Sequence, residues 1–292
     1  CITTGLILAG LASPANAADM PVDVLQAVTK ATPDTVANAA PVDTSVAGRN
    51  VIELSVADTN VSVPVDPFTG VSLSSDRGTA SIGLPFAADA ADAVRERPGV
   101  VSYDNGNGSR TVPVVLKDGS VQINTVIENA NAPALYDYPI TVPDGSTLVA
   151  NEDGSVFAMD DSGAISLLIG APWAKDANGK DIPTSYEITG TTLSQKVDHS
   201  QTKDVTYPVV ADPCLGVDLI ERASIEFHAK GYKVNVVPTL WGRIHSGLLV
   251  LGAHESELRT KLGRNAWRIT PTIREQFNCH IIGNIFEQGE YN

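Results

Sequence analysis

The sequence predicts a mainly β protein: an antiparallel β-rich body, sandwich-like or a meander, followed by a small α+β C-terminal domain. Three observations predict it. From about residue 50 to 212, short β-prone runs alternate apolar and polar residues as half-buried strands do, as in Val51-Ile52-Glu53-Leu54-Ser55-Val56 and Ser120-Val121-Gln122-Ile123-Asn124-Thr125-Val126. Turn residues punctuate these runs at Lys117-Asp118-Gly119-Ser120, Pro143-Asp144-Gly145-Ser146, Glu152-Asp153-Gly154-Ser155 and Asp160-Asp161-Ser162-Gly163, and Asp-Gly pairs supply the positive φ of tight hairpin turns. From Cys214 onward helical periodicity appears and the charge balance shifts: nine Lys and Arg stand against eight Asp and Glu, about +1, while the remainder is about −15.

At the N-terminus, Ile2 to Ala12 is an apolar run too short to span a bilayer, followed by Pro14 and the small residues Ala15 and Ala17. Residues 1–17 are expected to be a partial signal peptide, cleaved between Ala17 and Ala18. Neither an initiator Met nor a basic leader is present, so the sequence is expected to begin inside the signal. Lipidation of Cys1 fits less well, because Thr4-Gly5-Leu6-Ile7-Leu8 is not a polar tether. Residues 18–49, rich in Ala, Val, Pro, Thr and Asp, are expected to be a linker, with one short amphipathic possibility at Val22, Leu25 and Val28.

The body is expected over residues 50–212, with Ala87 to Val94, an Ala-Asp run ending before Pro98, as a short helix upon it. Two domains suit 292 residues. The 43% apolar and 18% charged fractions are those of a folded protein, and a net charge of −14 argues against nucleic acid as a partner. No stretch after the signal approaches the roughly 20 apolar residues of a transmembrane helix.

Residues 213–292 form the expected C-terminal domain. Alternation at Ala223, Ile225, Phe227 and at Tyr232, Val234, Val236, around Lys230-Gly231, predicts a hairpin with those side chains facing inward. One helix is expected over about Gly252 to Leu262, with Leu251, Leu258 and Leu262 on one face. Another starts at Thr270 as N-cap with Pro271 at its first position, carries Ile273, Phe277 and Ile281 as its apolar stripe and stops near Gly283. Cys214 and Cys279 are an even pair in an exported chain, so a disulfide is expected, worth about 4 kcal/mol for a loop of that length.

Candidate chemistry concentrates in this domain, which holds four of the five histidines. His254-Glu255-Ser256-Glu257-Leu258 begins like the zinc-protease H-E-x-x-H, whose histidines face one metal a helical turn apart, but the fifth position is Leu258. His254 is therefore read as packed at the core edge between Leu251 and Leu258. His280 directly follows Cys279, but neighbours on a helix point about 100° apart, which does not make a nucleophile and base. His228 falls on the polar face of its strand and His245 in a loop. Arg259, Arg264, Arg268 and Arg274 surround Trp267, a pattern that suits a basic contact surface, against the plainer alternative of a solvated helix with Glu255 and Glu257 paired to Arg259 and Lys261. Asp176, Asn178 and Glu187 loosely suggest a calcium loop, but Lys180 occupies a ligand position. No metal or cofactor is expected.

At Ser109-Arg110-Thr111-Val112-Pro113, Gly119-Ser120-Val121-Gln122-Ile123, Ala171-Pro172-Trp173-Ala174-Lys175-Asp176 and Tyr207-Pro208-Val209-Val210-Ala211-Asp212-Pro213 the chain resembles secreted actinobacterial proteins with a recurrent β-rich N-terminal region. Asp212-Pro213-Cys214-Leu215-Gly216-Val217-Asp218-Leu219-Ile220 and Asn278-Cys279-His280 resemble a C-terminal domain of unknown function found on such proteins, one that continues past Asn292. The resemblance implies export and architecture; it transfers no catalytic residue. With no complete catalytic constellation, the sequence is read as a secreted, extracellular or envelope-associated binding or interaction protein whose partner is extracellular or in the envelope. The alternatives are an effector with a C-terminal hydrolase or toxin using His280 and His254, and a structural envelope protein.

Overall fold

The computed structural model describes residues 22–42, 48–56, 59–75, 78–151, 154–161, 165–216, 219–229, 231–239, 242–243 and 251–283. The expected cleavage site at Ala17 and Ala18, and His245, lie outside them. The chain is mainly β with antiparallel sheets and a few helices.

One sheet runs β1 (Asn50–Val56), β2 (Thr59–Pro64), β3 (Val71–Ser75), β4 (Gly78–Ile82), β9 (Leu135–Thr141), β15 (Thr192–Val197) and β14 (Thr184–Thr189). The other runs β10 (Ser146–Ala150), β11 (Val156–Asp160), β12 (Ile165–Ile169), β17 (Cys214–Gly216), β8 (Val121–Ile127), β7 (Ser109–Val115), β6 (Val100–Asp104) and β5 (Val94–Arg97), with β16 (Val209–Ala211) also pairing with β8. Their inward faces share one core, in which Val61, Leu73, Tyr136 and Leu193 of the first sheet meet Tyr103, Ile123, Ile127 and Leu167 of the second. Tyr138 and Thr125 hydrogen-bond across the layers at 2.8 Å.

The Asp-Gly turns read from sequence have positive φ at Gly119, Gly145 and Gly154. The turn at Gly119 closes the β7–β8 hairpin and the one at Gly154 the β10–β11 hairpin, whereas Pro143 to Ser146 carries the chain from β9 in one sheet to β10 in the other. A sandwich, not one continuous meander, results.

Three expectations are corrected. Ala87 to Val94 is not a helix: Phe86 has φ 56°, and the amides of Ala91 and Ala93 donate to Asp104 and Val65, so tertiary acceptors take the donors a helix would use. Residues 22–42 are not a free linker. Helices α1 (Val24–Ala31) and α2 (Pro33–Ala37) bury Val24, Val28 and Val36 against Val112, Val114 and Val126 on the outer face of β7 and β8. β8 is thereby covered on both sides, which is why all its residues are buried. The boundary expected at 212–213 also moves, because Cys214 and Leu215 pair with β8 inside the body's sheet.

The C-terminal unit comprises the hairpin β18 (Ile220–His228) and β19 (Gly231–Pro238), helix α3 (Leu251–Leu262), a 3₁₀ turn over Gly263–Arg268 and helix α4 (Pro271–Gly283). Thr270 caps α4, accepting from the Ile273 amide at 3.4 Å. Leu258, Leu262, Phe277 and Ile281 bury together with Val234 and Val236, and with Phe157 and Leu168, which a strand's alternation turns outward from β11 and β12. The unit thus caps the outer face of the sandwich.

Candidate functional site

Next to the last pair of the hairpin, His228 with Gly231, Phe227 lies opposite Tyr232 in register. Phe227, expected inside, is 64% exposed. Beside it the 3₁₀ turn presents Trp267, 69% exposed, and Arg268. The Arg268 guanidinium carbon sits 4.3 Å from the Trp267 ring centre, 4.9 Å from Phe227 and 5.2 Å from Tyr232. Each cation–π contact at an exposed site is worth about 0.5–1 kcal/mol. Tyr232 Oη donates to the Arg268 carbonyl at 2.8 Å, tying the turn to the hairpin. Arg268 Nε is buried and has no hydrogen-bond partner among the described residues.

Tyr232 also lines a cleft of about 90 Å³, open to solvent, between β19 and the helices. Val234, Val236, Leu258, Ile273 and Phe277 line it, with Lys233, Gln276 and His280 among its polar members. Lys233 reaches Glu226 at 3.2 Å and, with the Asn235 amide, holds that carboxyl below the usual range.

The surface is fixed to the body by residues that sequence reasoning left on a solvated face. Glu257 is buried, and its carboxylate accepts from the Leu219 and Ile220 amides, both at 2.9 Å, clamping the start of β18 to α3. Arg259 reaches Glu255, its expected i,i+4 partner, at 2.8 Å. Gly242 rests on Leu219 so closely that an added Cβ would collide with the Leu219 carbonyl.

His254 is buried, at the core edge as expected; its Nε2 lies 3.2 Å from the Gly242 carbonyl and its ring meets Phe277 edge-on. His280 is exposed on α4, and His228 is exposed 3.8 Å from Glu226. Among the described residues no three His, Cys, Asp or Glu side chains are gathered as a metal ion needs. The expected disulfide is absent: Cys214, half-buried on the sheet, and Cys279, exposed on α4, are both free thiols. Burial pushes the Cys214 thiol well above its ordinary range, which opposes nucleophilic use. Of the basic cluster only Arg268 and Trp267 converge, while Arg264 and Arg274 are exposed.

The calcium-like loop is explained locally. Burial alone would raise the Asp176 carboxyl, but the amides of Thr206, Lys180 and Asn178 donate to it and hold it below the usual range. Inside the body, burial raises the Asp212 carboxyl to about 8 despite hydrogen bonds from Trp173 and Gln122.

No family model matches this sequence, and no curated protein matches it.

Proposed function

We propose that the chain is a secreted binding or interaction protein in which the β sandwich is the scaffold and the C-terminal unit makes the contact. The observation that supports it is the pair of solvent-facing aromatics, Phe227 and Trp267, held around Arg268 on a clamped hairpin and turn. Trp, Tyr and Arg are the residues that most often dominate binding energy at protein interfaces. They serve best when preorganised, because little side-chain entropy is then lost on contact. Export rests on the signal-like segment ending at Ala17, and the partner is extracellular or in the envelope.

Co-sedimentation of the purified full chain with envelope fractions of a producing cell tests the reading. Phe227→Ser together with Trp267→Ser is expected to remove most of the bound protein while secretion continues. Retention equal to the unaltered chain would overturn the placement of the contact. Finding the protein wholly in the cytosol would overturn the localisation.

A further inference from the structure

Resting on that reading, the geometry points to the chemistry of the partner: we infer that the surface takes a peptide segment in which an Asp or Glu neighbours a bulky apolar residue. The carboxylate would sit on Arg268 and the apolar side chain in the adjoining cleft. A guanidinium carries its donors in a planar fork matched to a carboxylate, and a charge-assisted bond of this kind is roughly twice as strong as a neutral one. Here three rings surround the guanidinium, whose carbon lies 4.3, 4.9 and 5.2 Å from their centres.

Two observations single out Arg268 among the local cations. Arg259 is satisfied by Glu255 and Lys233 by Glu226, at 2.8 and 3.2 Å. Arg268 Nε, by contrast, is out of water with no acceptor among the described residues, and leaving a charged donor unmet is costly. An incoming carboxylate supplies what the fold does not. The apolar half of the ligand follows from continuity: Tyr232 touches the guanidinium with its ring and also lines the cleft floored by Val234, Val236, Leu258, Ile273 and Phe277. A segment lying across Tyr232 meets both features at once. The same charge logic disfavours a nucleic acid, which would bring many phosphates to a chain of net charge −14.

The test is selection of short random peptides displayed on phage, using the folded full chain as bait. The expected consensus pairs an acidic residue with Leu, Ile, Phe or Trp one or two positions away. A synthetic peptide carrying it should bind at least about tenfold more weakly to Arg268→Gln, and Ile273→Asp should weaken it comparably. Arg264→Gln, which removes an exposed neighbouring cation, should leave affinity unchanged; circular dichroism melting should show all three variants folded. A consensus without acidic residues whose binding still needs Phe227 and Trp267 would overturn the acidic partner and leave the interaction surface standing. Loss of affinity equally with Arg264→Gln would reduce the effect to general charge and overturn the inference. Selected peptides indifferent to Arg268, Phe227 and Trp267 alike would overturn both.

Discussion

The aromatic side chains between the two sheets and those beside Arg268 in the C-terminal unit are put to opposite uses. Tyr103, Tyr136 and Tyr138 are fully buried, and their hydroxyls are hydrogen-bonded to the Pro64 carbonyl, the Pro133 carbonyl and the Thr125 hydroxyl. They fill the space between the sheets, and the bonded hydroxyl is the condition on which a tyrosine can be buried there at all. Phe227 and Trp267 are about two-thirds exposed, and what they pack around is a guanidinium at the surface. The first group is accounted for by folding alone. The second is not, and that difference supports the proposal that the C-terminal unit makes the contact.

The comparison can be broken most forcefully from the inside. Tyr138→Ala removes a fully buried ring and orphans Thr125, so unfolding free energy measured in urea should fall by about 3–5 kcal/mol. A loss under about 1 kcal/mol would mean that the layers are not held together there.

The buried carboxyl of Asp212 is expected to make the stability of the body depend on pH. Its folded value of about 8 lies above the ordinary 3.8, so the folded state holds the proton more tightly and stability is lost as pH rises between those values. The loss between pH 5 and pH 8 should be on the order of 3 kcal/mol, and Asp212→Asn should flatten it. Equal slopes in the two proteins would remove Asp212 as the cause.

Gly242→Ala sharpens the comparison at the junction. The added Cβ would collide with the Leu219 backbone, beside the amides that Glu257 clamps. A cost of about 1–3 kcal/mol is expected, felt first as faster proteolysis within the C-terminal unit while the sandwich stays intact. Uniform loss across the chain would instead make sandwich and cap a single cooperative block.

The sequence carried much of this in local form. Alternation and Asp-Gly turns marked β7, β8 and the C-terminal hairpin, and Thr270-Pro271 marked the start of α4, because each signal is written in adjacent residues. What escaped depends on residues far apart. Val24, Val28 and Val36 look like part of a linker until the outward valines of β7 and β8 are beside them. Ala87 to Val94 has helix-forming composition, yet Val65 and Asp104 capture its amides. Glu257 has the spacing of a solvated helix face, yet it is buried and accepts from the Leu219 amide, 38 residues away. At the site, composition marked the Arg and Trp cluster but not which cation matters: Arg268 is distinguished by Phe227 and Tyr232, which the alternation had placed inside.

The central claim is that the exposed aromatics serve contact and not folding, and urea denaturation of the Phe227→Ser, Trp267→Ser double variant tests it most directly. The account predicts a stability within about 1 kcal/mol per substitution of the unaltered chain, the size of the cation–π contact each one removes. A loss of several kcal/mol, comparable to that expected for Tyr138→Ala, would show that these rings are core after all and contradict the account.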